Sequence, residues 1–313
     1  MSYRLAISAA PADSVRACAR EQLLGAVGEL ERPGEDPAKA VHQARKHLKK
    51  SRALLRLVRS ELGEATYRRE NEALREAAAQ LSATRDADVL VATVDKLAER
   101  GAGRLPAADF AALRGALTAE AAVARAGAEA PDPLVVAQQL RAAHERVDAW
   151  PLDGADWETA VAGISRAYAR GVRERARAEA EPTVEHLHEW RKRVKDLWYH
   201  HRLLKPVWPP VLSAYGEAAH VLSELLGDDH DLAVLRARLE HGDGLPATVG
   251  ADLAPLLALA DERRGELQAE ARRLAARLYA ERPRAFERRV ARWVEAAVAE
   301  AQAAPSAPAA GGA

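Results

Sequence analysis

The sequence predicts an all-α fold, and three observations lead there. Alanine, leucine, arginine and glutamate dominate, while isoleucine occurs only as Ile7 and Ile164 and phenylalanine only twice, so helix formers are abundant and strand formers scarce. Clusters of proline and glycine then cut the chain into apolar-periodic segments of helical length. Finally, one basic helical pattern occurs twice in the same register, which points to two helical units rather than a solenoid of short repeats.

Taken in chain order, the predicted breaks fall at 31–34, 101–103, 130–133, 150–154, 205–210, 242–244 and 282–283. The break at 150–154 divides the chain into a first helical bundle, 1–150, and a second, 151–303. Residues 304–313 contain only Ala, Pro, Gly and one Ser, and a segment without charge or large apolar groups is expected to be a disordered tail.

Composition narrows the function classes. With 313 residues, 48% hydrophobic and 29% charged, the chain is too apolar for a disordered protein. No window of eighteen uninterrupted apolar residues occurs, so no membrane span is expected. Residues 1–10 carry one Arg and no apolar run, which gives no secretory signal and favours a cytoplasmic protein. The single cysteine, Cys18, excludes an internal disulfide framework and a cysteine-based zinc site. Lys plus Arg equals Asp plus Glu at 46 each, so any polyanion site must come from local segregation of charge.

That segregation is present. VHQARKHLK at 41–49 matches LHEWRKRVK at 187–195, with His, Arg, Lys and Lys in identical register, and Arg56 and Leu57 extend the match to Arg202 and Leu203. At 100° per residue His42, Arg45, Lys46, Lys49 and Arg56 share one helix face, opposite Val41, Ala44, Leu48, Leu55 and Val58. Lys50 and Arg52 add to the charge, and between 41 and 60 there are seven basic residues and no acidic one. The second copy aligns His188, Arg191, Lys192, Lys195, Tyr199 and Arg202, partly offset by Glu189 and Asp196. Each strip spans about 21 Å at the helical rise. Like charges at i,i+3 and i,i+4 cost a few tenths of a kcal/mol per pair, so a site for a linear polyanion is favoured over a merely solvated face.

Each strip is followed by an acidic element, Asp86-Ala87-Asp88 in the first half and Asp229-His230-Asp231 in the second. H-x-x-R-K-x-x-K twice, each with its acidic segment, in an all-helical chain, resembles the CHAD family, the conserved histidine α-helical domain. The resemblance covers about residues 12–303. It implies two four-helix bundles related by a pseudo-two-fold axis, a central basic channel, and binding of inorganic polyphosphate with possible association with polyphosphate granules. The family's histidine falls on His42 and His188 and its basic residues on Arg45, Lys46, Lys49, Arg56, Arg191, Lys192, Lys195 and Arg202. Its Tyr-x-Arg segment falls on Tyr168 and Arg170, with Arg173 one turn on; the first half has Gln22 and Leu24 instead, so an asymmetric site is expected. Many relatives carry an N-terminal triphosphate-tunnel (CYTH) domain that supports hydrolysis, and these 313 residues contain none.

No catalytic residue, cofactor or metal is therefore assigned. A metal-dependent phosphohydrolase or polyphosphate-processing enzyme using Asp86, Asp88, Asp229 and Asp231 is the main alternative, but further His and Asp ligands are missing; each aspartate fits better as a helix cap or as the partner that orients a basic residue. His42 and His188 have Arg and Lys neighbours that repel cations. His200 and His201 diverge by about 100° and read as packing or surface residues. Nucleic-acid binding is the third reading, resting on Trp190, Trp198, Tyr199, Trp208 and Tyr215 near the second strip; Trp190 and Trp198 lie towards the apolar side and fit core packing better.

Overall fold

The computed structural model describes residues 3–81, 85–127, 132–241 and 253–303, with side chains throughout except those of 85–88 and 124–127. Among the described residues the chain is all-α, as its composition dictates: α1 (Pro11–Glu31), α2 (Pro37–Leu57), α3 (Arg59–Gln80), α4 (Arg85–Gly101), α5 (Ala107–Gly127), α6 (Pro133–Glu145), α7 (Trp157–Ala180), α8 (Val184–Leu203), α9 (Pro209–His241), α10 (Ala254–Leu278) and α11 (Pro283–Ala303). Proline opens α1, α2, α6, α9 and α11, where its missing N–H costs nothing. Side-chain caps add to this. Asp36 accepts from Lys39 N–H, Asp132 from Leu134 N–H, Asp156 from Thr159 N–H and Thr183 from His186 N–H, each contributing about 1 kcal/mol.

The breaks expected near 31–34, 101–103, 130–133, 150–154, 205–210 and 282–283 coincide with helix ends. The expected break at 242–244 and the expected disordered tail at 304–313 lie outside the described residues. Two further breaks carry weaker signals. α7 gives way to α8 across 181–183, and α2 gives way to α3 at Val58, with no proline or glycine at the junction. The backbone there completes its turn at Gly63, whose φ of 69° is left-handed and whose absent side chain makes it possible.

Helices α1, α2, α3 and α6 pack together, as do α7, α8, α9 and α11, and the two groups meet where α2 lies against α7 and α8. A Cβ on Gly163 of α7 would stand 2.0 Å from the Leu57 carbonyl oxygen, so this contact requires glycine. A core running from Tyr3 to Ala297 fills both groups continuously. A second core, including Leu97, Phe110, Leu113, Leu235 and Leu259, is built where the α4–α5 hairpin packs on the far part of α9 and the near part of α10. Neither core is confined to one half of the sequence. Both halves therefore contribute to whatever surface forms at the α2–α8 contact.

Candidate anion-binding site

α2 and α8 cross antiparallel, as three residue pairs show. Ala53 accepts a hydrogen bond from His200 Nε2–H at 3.0 Å. Three residues along α2 and four back along α8, Arg56 Nε stands 2.7 Å from the Asp196 carboxylate, whose other oxygen is 3.1 Å from Arg193 Nη1. In the other direction Lys50 and Arg202 converge on one aromatic ring, with Lys50 Nζ 5.8 Å and Arg202 Cζ 5.4 Å from the centre of Tyr3. Tyr3 is held there by Leu5 N–H donating to Leu203 O at 2.8 Å and by its own hydroxyl donating to Lys50 O at 2.9 Å.

At the Arg56 end a cavity of about 850 Å³ opens between α2, α3, α7 and α8. Arg56, Arg59, Arg166, Arg170 and Arg173 line it, with Glu64 and Asp196 as its carboxylates. Three of the arginines are neutralised: Arg56 by Asp196, Arg59 by Glu64 at 2.8 Å and Arg173 by Glu174 at 2.9 Å. Arg166 donates to Leu57 O at 3.3 Å. Arg166 and Arg170 have no carboxylate within ion-pair distance among the described residues. Burial, then the neighbouring Arg59, pulls the Arg166 pKa down, and burial, then Arg193, does the same for Arg170. Both guanidinium groups stay charged at any physiological pH, so the crowding is a standing electrostatic cost that an anion would relieve.

At the Arg202 end a smaller groove of about 430 Å³ is lined by Tyr3, Arg4, Trp198, Arg202, Lys205 and His220, among others. Lys50 beside it is half-buried, and burial followed by repulsion from Arg202 lowers its pKa.

The sequence-predicted residues distribute unevenly over this geometry. Arg56, Arg170 and Arg173 reach the cavity, and Lys50 and Arg202 reach the other end. Arg45 and Arg52 turn to α3, donating to Ala78 O at 3.2 Å and Asn71 Oδ1 at 3.1 Å. Arg191 donates to Ser223 O on α9 at 3.3 Å, and Lys192 pairs with Glu189 at 2.6 Å. His42 and Lys46 are exposed on α2; Lys49 and Lys195 are half-buried. Tyr199 is buried at 6% exposure, edge-on to Tyr3 and stacked on Trp198, so it packs the crossing instead of facing solvent. The rings of His188 and His230 lie tilted against each other with centres 4.4 Å apart, and burial, then His230, pulls the His188 pKa down to about 4. His200 and His201 are both buried packing residues.

Sequence reasoning missed Arg59, Arg166, Tyr3, Arg4 and Lys205. Arg166 carried a signal, since it sits four residues before Arg170 and seven before Arg173 on one face of α7. Tyr3 carried none, because only the tertiary fold brings the N-terminal segment to α8.

Of the acidic segments, Asp229 is buried within α9 and accepts from Arg264 Nε at 3.1 Å and Gln268 Nε2 at 2.9 Å, which makes it an orienting partner and not a helix cap. Asp231 faces a separate cavity with Lys96. The side chains of Asp86 and Asp88 lie outside the described residues. Among the described residues no three His, Cys, Asp or Glu side chains gather in a metal-binding arrangement, and no helix is long and apolar enough to cross a membrane.

No curated protein matches the chain. Among solved structures it is similar to the crystal structure of the CHAD domain from the plant Ricinus communis, with a TM-score of 0.55 and 20% identity over 90% of this chain and 95% of that one, a likeness of fold. The sequence profile of the CHAD domain matches residues 17–240, most of the chain and both basic strips. The chain belongs to the CHAD domain family.

Proposed function

We propose that this protein is a non-catalytic module that binds inorganic polyphosphate at the α2–α8 crossing. One observation carries the reading: cations from α2, α7 and α8, supplied by both halves of the sequence, converge at the two ends of one crossing without enough carboxylate to neutralise them. A linear polyanion supplies the missing charge. Its phosphates accept charge-assisted hydrogen bonds from Arg166 and Arg170 at one end and from Lys50 and Arg202 at the other, and the counterions it releases favour binding. The exposed Lys46 further out on α2 extends the track. A chain long enough to reach both ends gains from the high effective concentration of its second segment. Membership of the CHAD family supports the same ligand, and a cytoplasmic location with association to polyphosphate granules would follow from it.

The test is calorimetric titration with long polyphosphate, orthophosphate and single-stranded RNA over a salt series, with phosphate release followed in the same samples in the presence of Mg²⁺. Long polyphosphate is expected to bind far more tightly than orthophosphate, with steep salt dependence and no release. Equal affinity for orthophosphate and a long chain would remove the extended track. Mg²⁺-dependent release that is lost on Asp231→Asn in a folded protein would replace binding with hydrolysis.

A further inference from the structure

The polyphosphate reading leaves the aromatic content of the smaller groove without a use. Trp198 and His220 stack there almost coplanar, 4.2 Å between ring centres and 4° between planes. Arg202 lies over the rings of Tyr3 and Trp198 at 5.4 and 5.5 Å. Arg4 and Lys205 line the same groove, and among the described residues no carboxylate pairs with Arg4, Arg202 or Lys205. Glu217 and Ser213 add an acceptor and a hydroxyl to the wall. A bare phosphate chain uses the cations and ignores the rest.

A flat base carrying phosphates uses both. Tyr199, Trp198 and His220 form a column of stacked rings that ends at the half-exposed His220, on which a base can stack at a similar spacing, and every base has the π-face this requires. Phosphates on the same ligand reach Arg202 over its two rings and Arg4 and Lys205 on the groove wall, and Glu217 can accept from ribose hydroxyls. We propose that the groove formed by Trp198, His220, Arg202, Arg4 and Lys205 is a binding site for a nucleoside polyphosphate, which overlaps the polyphosphate track at Arg202. Single-stranded RNA would share the base chemistry but needs a repeating row of such stacks, and the groove holds one.

The chain carries this test intact, because tripolyphosphate presents the same phosphates as ATP without the base and with at least as much negative charge. Electrostatics alone therefore favours tripolyphosphate, and any preference for ATP comes from the nucleoside. Displacement of a fluorescently labelled adenine nucleotide from the full-length protein, by ATP and by tripolyphosphate without Mg²⁺, reads the difference directly. ATP is expected to displace about tenfold better, the ratio that one base stack supplies. His220→Ala, at a partly exposed side chain, is expected to bring that ratio to about one while long polyphosphate binds as before. Lys205→Gln, at an exposed position, is expected to weaken ATP and tripolyphosphate equally and serves if the His220 variant does not fold. Tripolyphosphate displacing as well as ATP from the unmodified protein, or a ratio that survives His220→Ala, would overturn the proposal.

Discussion

The two ends of the α2–α8 crossing are built on the same register and do opposite things with charge. The offset of 146 residues that carries His42 onto His188 also carries Arg56 onto Arg202 and Lys50 onto Asp196. At one end the arginine of α2 meets the aspartate of α8 and is neutralised within a buried network. At the other end the arginine of α8 meets the lysine of α2 across the Tyr3 ring, where Lys50 is repelled by Arg202 more strongly than Glu21 attracts it. Asp196 facing Arg56 and Lys50 facing Arg202 thus separate a structural clamp from a cation pair. A basic motif therefore marks where charge collects, but the residue across the helix contact decides whether that charge is available to a ligand.

The sharpest way to break this comparison is to remove the clamp. Asp196→Ala leaves Arg56 and Arg193 buried without their partner, and the expected loss in urea unfolding is about 3 kcal/mol, the lower part of the range for an orphaned buried pair. Lys50→Ala at the equivalent place removes repulsion and is expected to change stability by no more than about 0.5 kcal/mol. Similar losses in both variants would mean that the ends are not energetically distinct.

Next in size is binding. Lys50→Gln combined with Arg202→Gln is expected to weaken long polyphosphate by roughly ten- to thirtyfold at low salt and to flatten the salt slope by more than one unit, since two phosphate contacts are lost. Arg56→Gln, whose guanidinium is already engaged with Asp196, should weaken it only about twofold. Titrations of the two variants side by side over a salt series check this. A larger loss at Arg56 would transfer the open end to the cavity.

How much of this was legible in the sequence follows from what each part depends on. The helices were legible because proline placement and apolar periodicity are local properties; the break at Val58 was not, because nothing at that position forbids a helix. The basic strips were legible as strips. Which members face a ligand was not, since Arg45, Arg52 and Arg191 are long enough to reach carbonyl and amide oxygens on neighbouring helices, partners that no spacing rule reveals. Gln22 is buried with its amide oxygen 2.9 Å from the imidazole of His47, whereas Tyr168, at the same offset on α7, donates to Glu281 O at 2.9 Å.

A pH series sharpens the clamp end. His200 joins α8 to Ala53, and burial lowers its pKa to about 4, below the ordinary 6.5. The folded state therefore holds it neutral while the unfolded state takes up a proton below 6.5. Its contribution to stability is complete above pH 6.5 and is lost as pH falls towards 4, at up to about 1.4 kcal/mol per pH unit within that window. His47, His188 and His201 are depressed in the same direction and add to the slope. His200→Gln keeps an N–H for Ala53 without titrating, so unfolding midpoints between pH 7 and 5 should show a slope smaller by up to one proton. An unchanged slope would mean that His200 is not held neutral.

The smallest expected effect lies in the turns that feed the two ends. The same offset places Gly63 against Pro209, so the chain leaves α2 through a left-handed glycine and leaves α8 through a 3-10 turn at Lys205–Val207 and a proline that opens α9. A Cβ on Gly63 would meet nothing within 4 Å, which leaves backbone conformation as the only cost of Gly63→Ala. That cost is about 1–3 kcal/mol, because φ 69° with ψ 160° lies in a region essentially confined to glycine. Pro209→Ala removes only a fixed φ at a position whose N–H needs no partner, so it should cost about half as much or less. Because Gly63 also lines the cavity, a loss much above about 3 kcal/mol, accompanied by weaker polyphosphate binding, would show that the turn shapes the cavity wall as well as redirecting the chain. Unfolding at the stated size with binding intact would assign Gly63 to the turn alone.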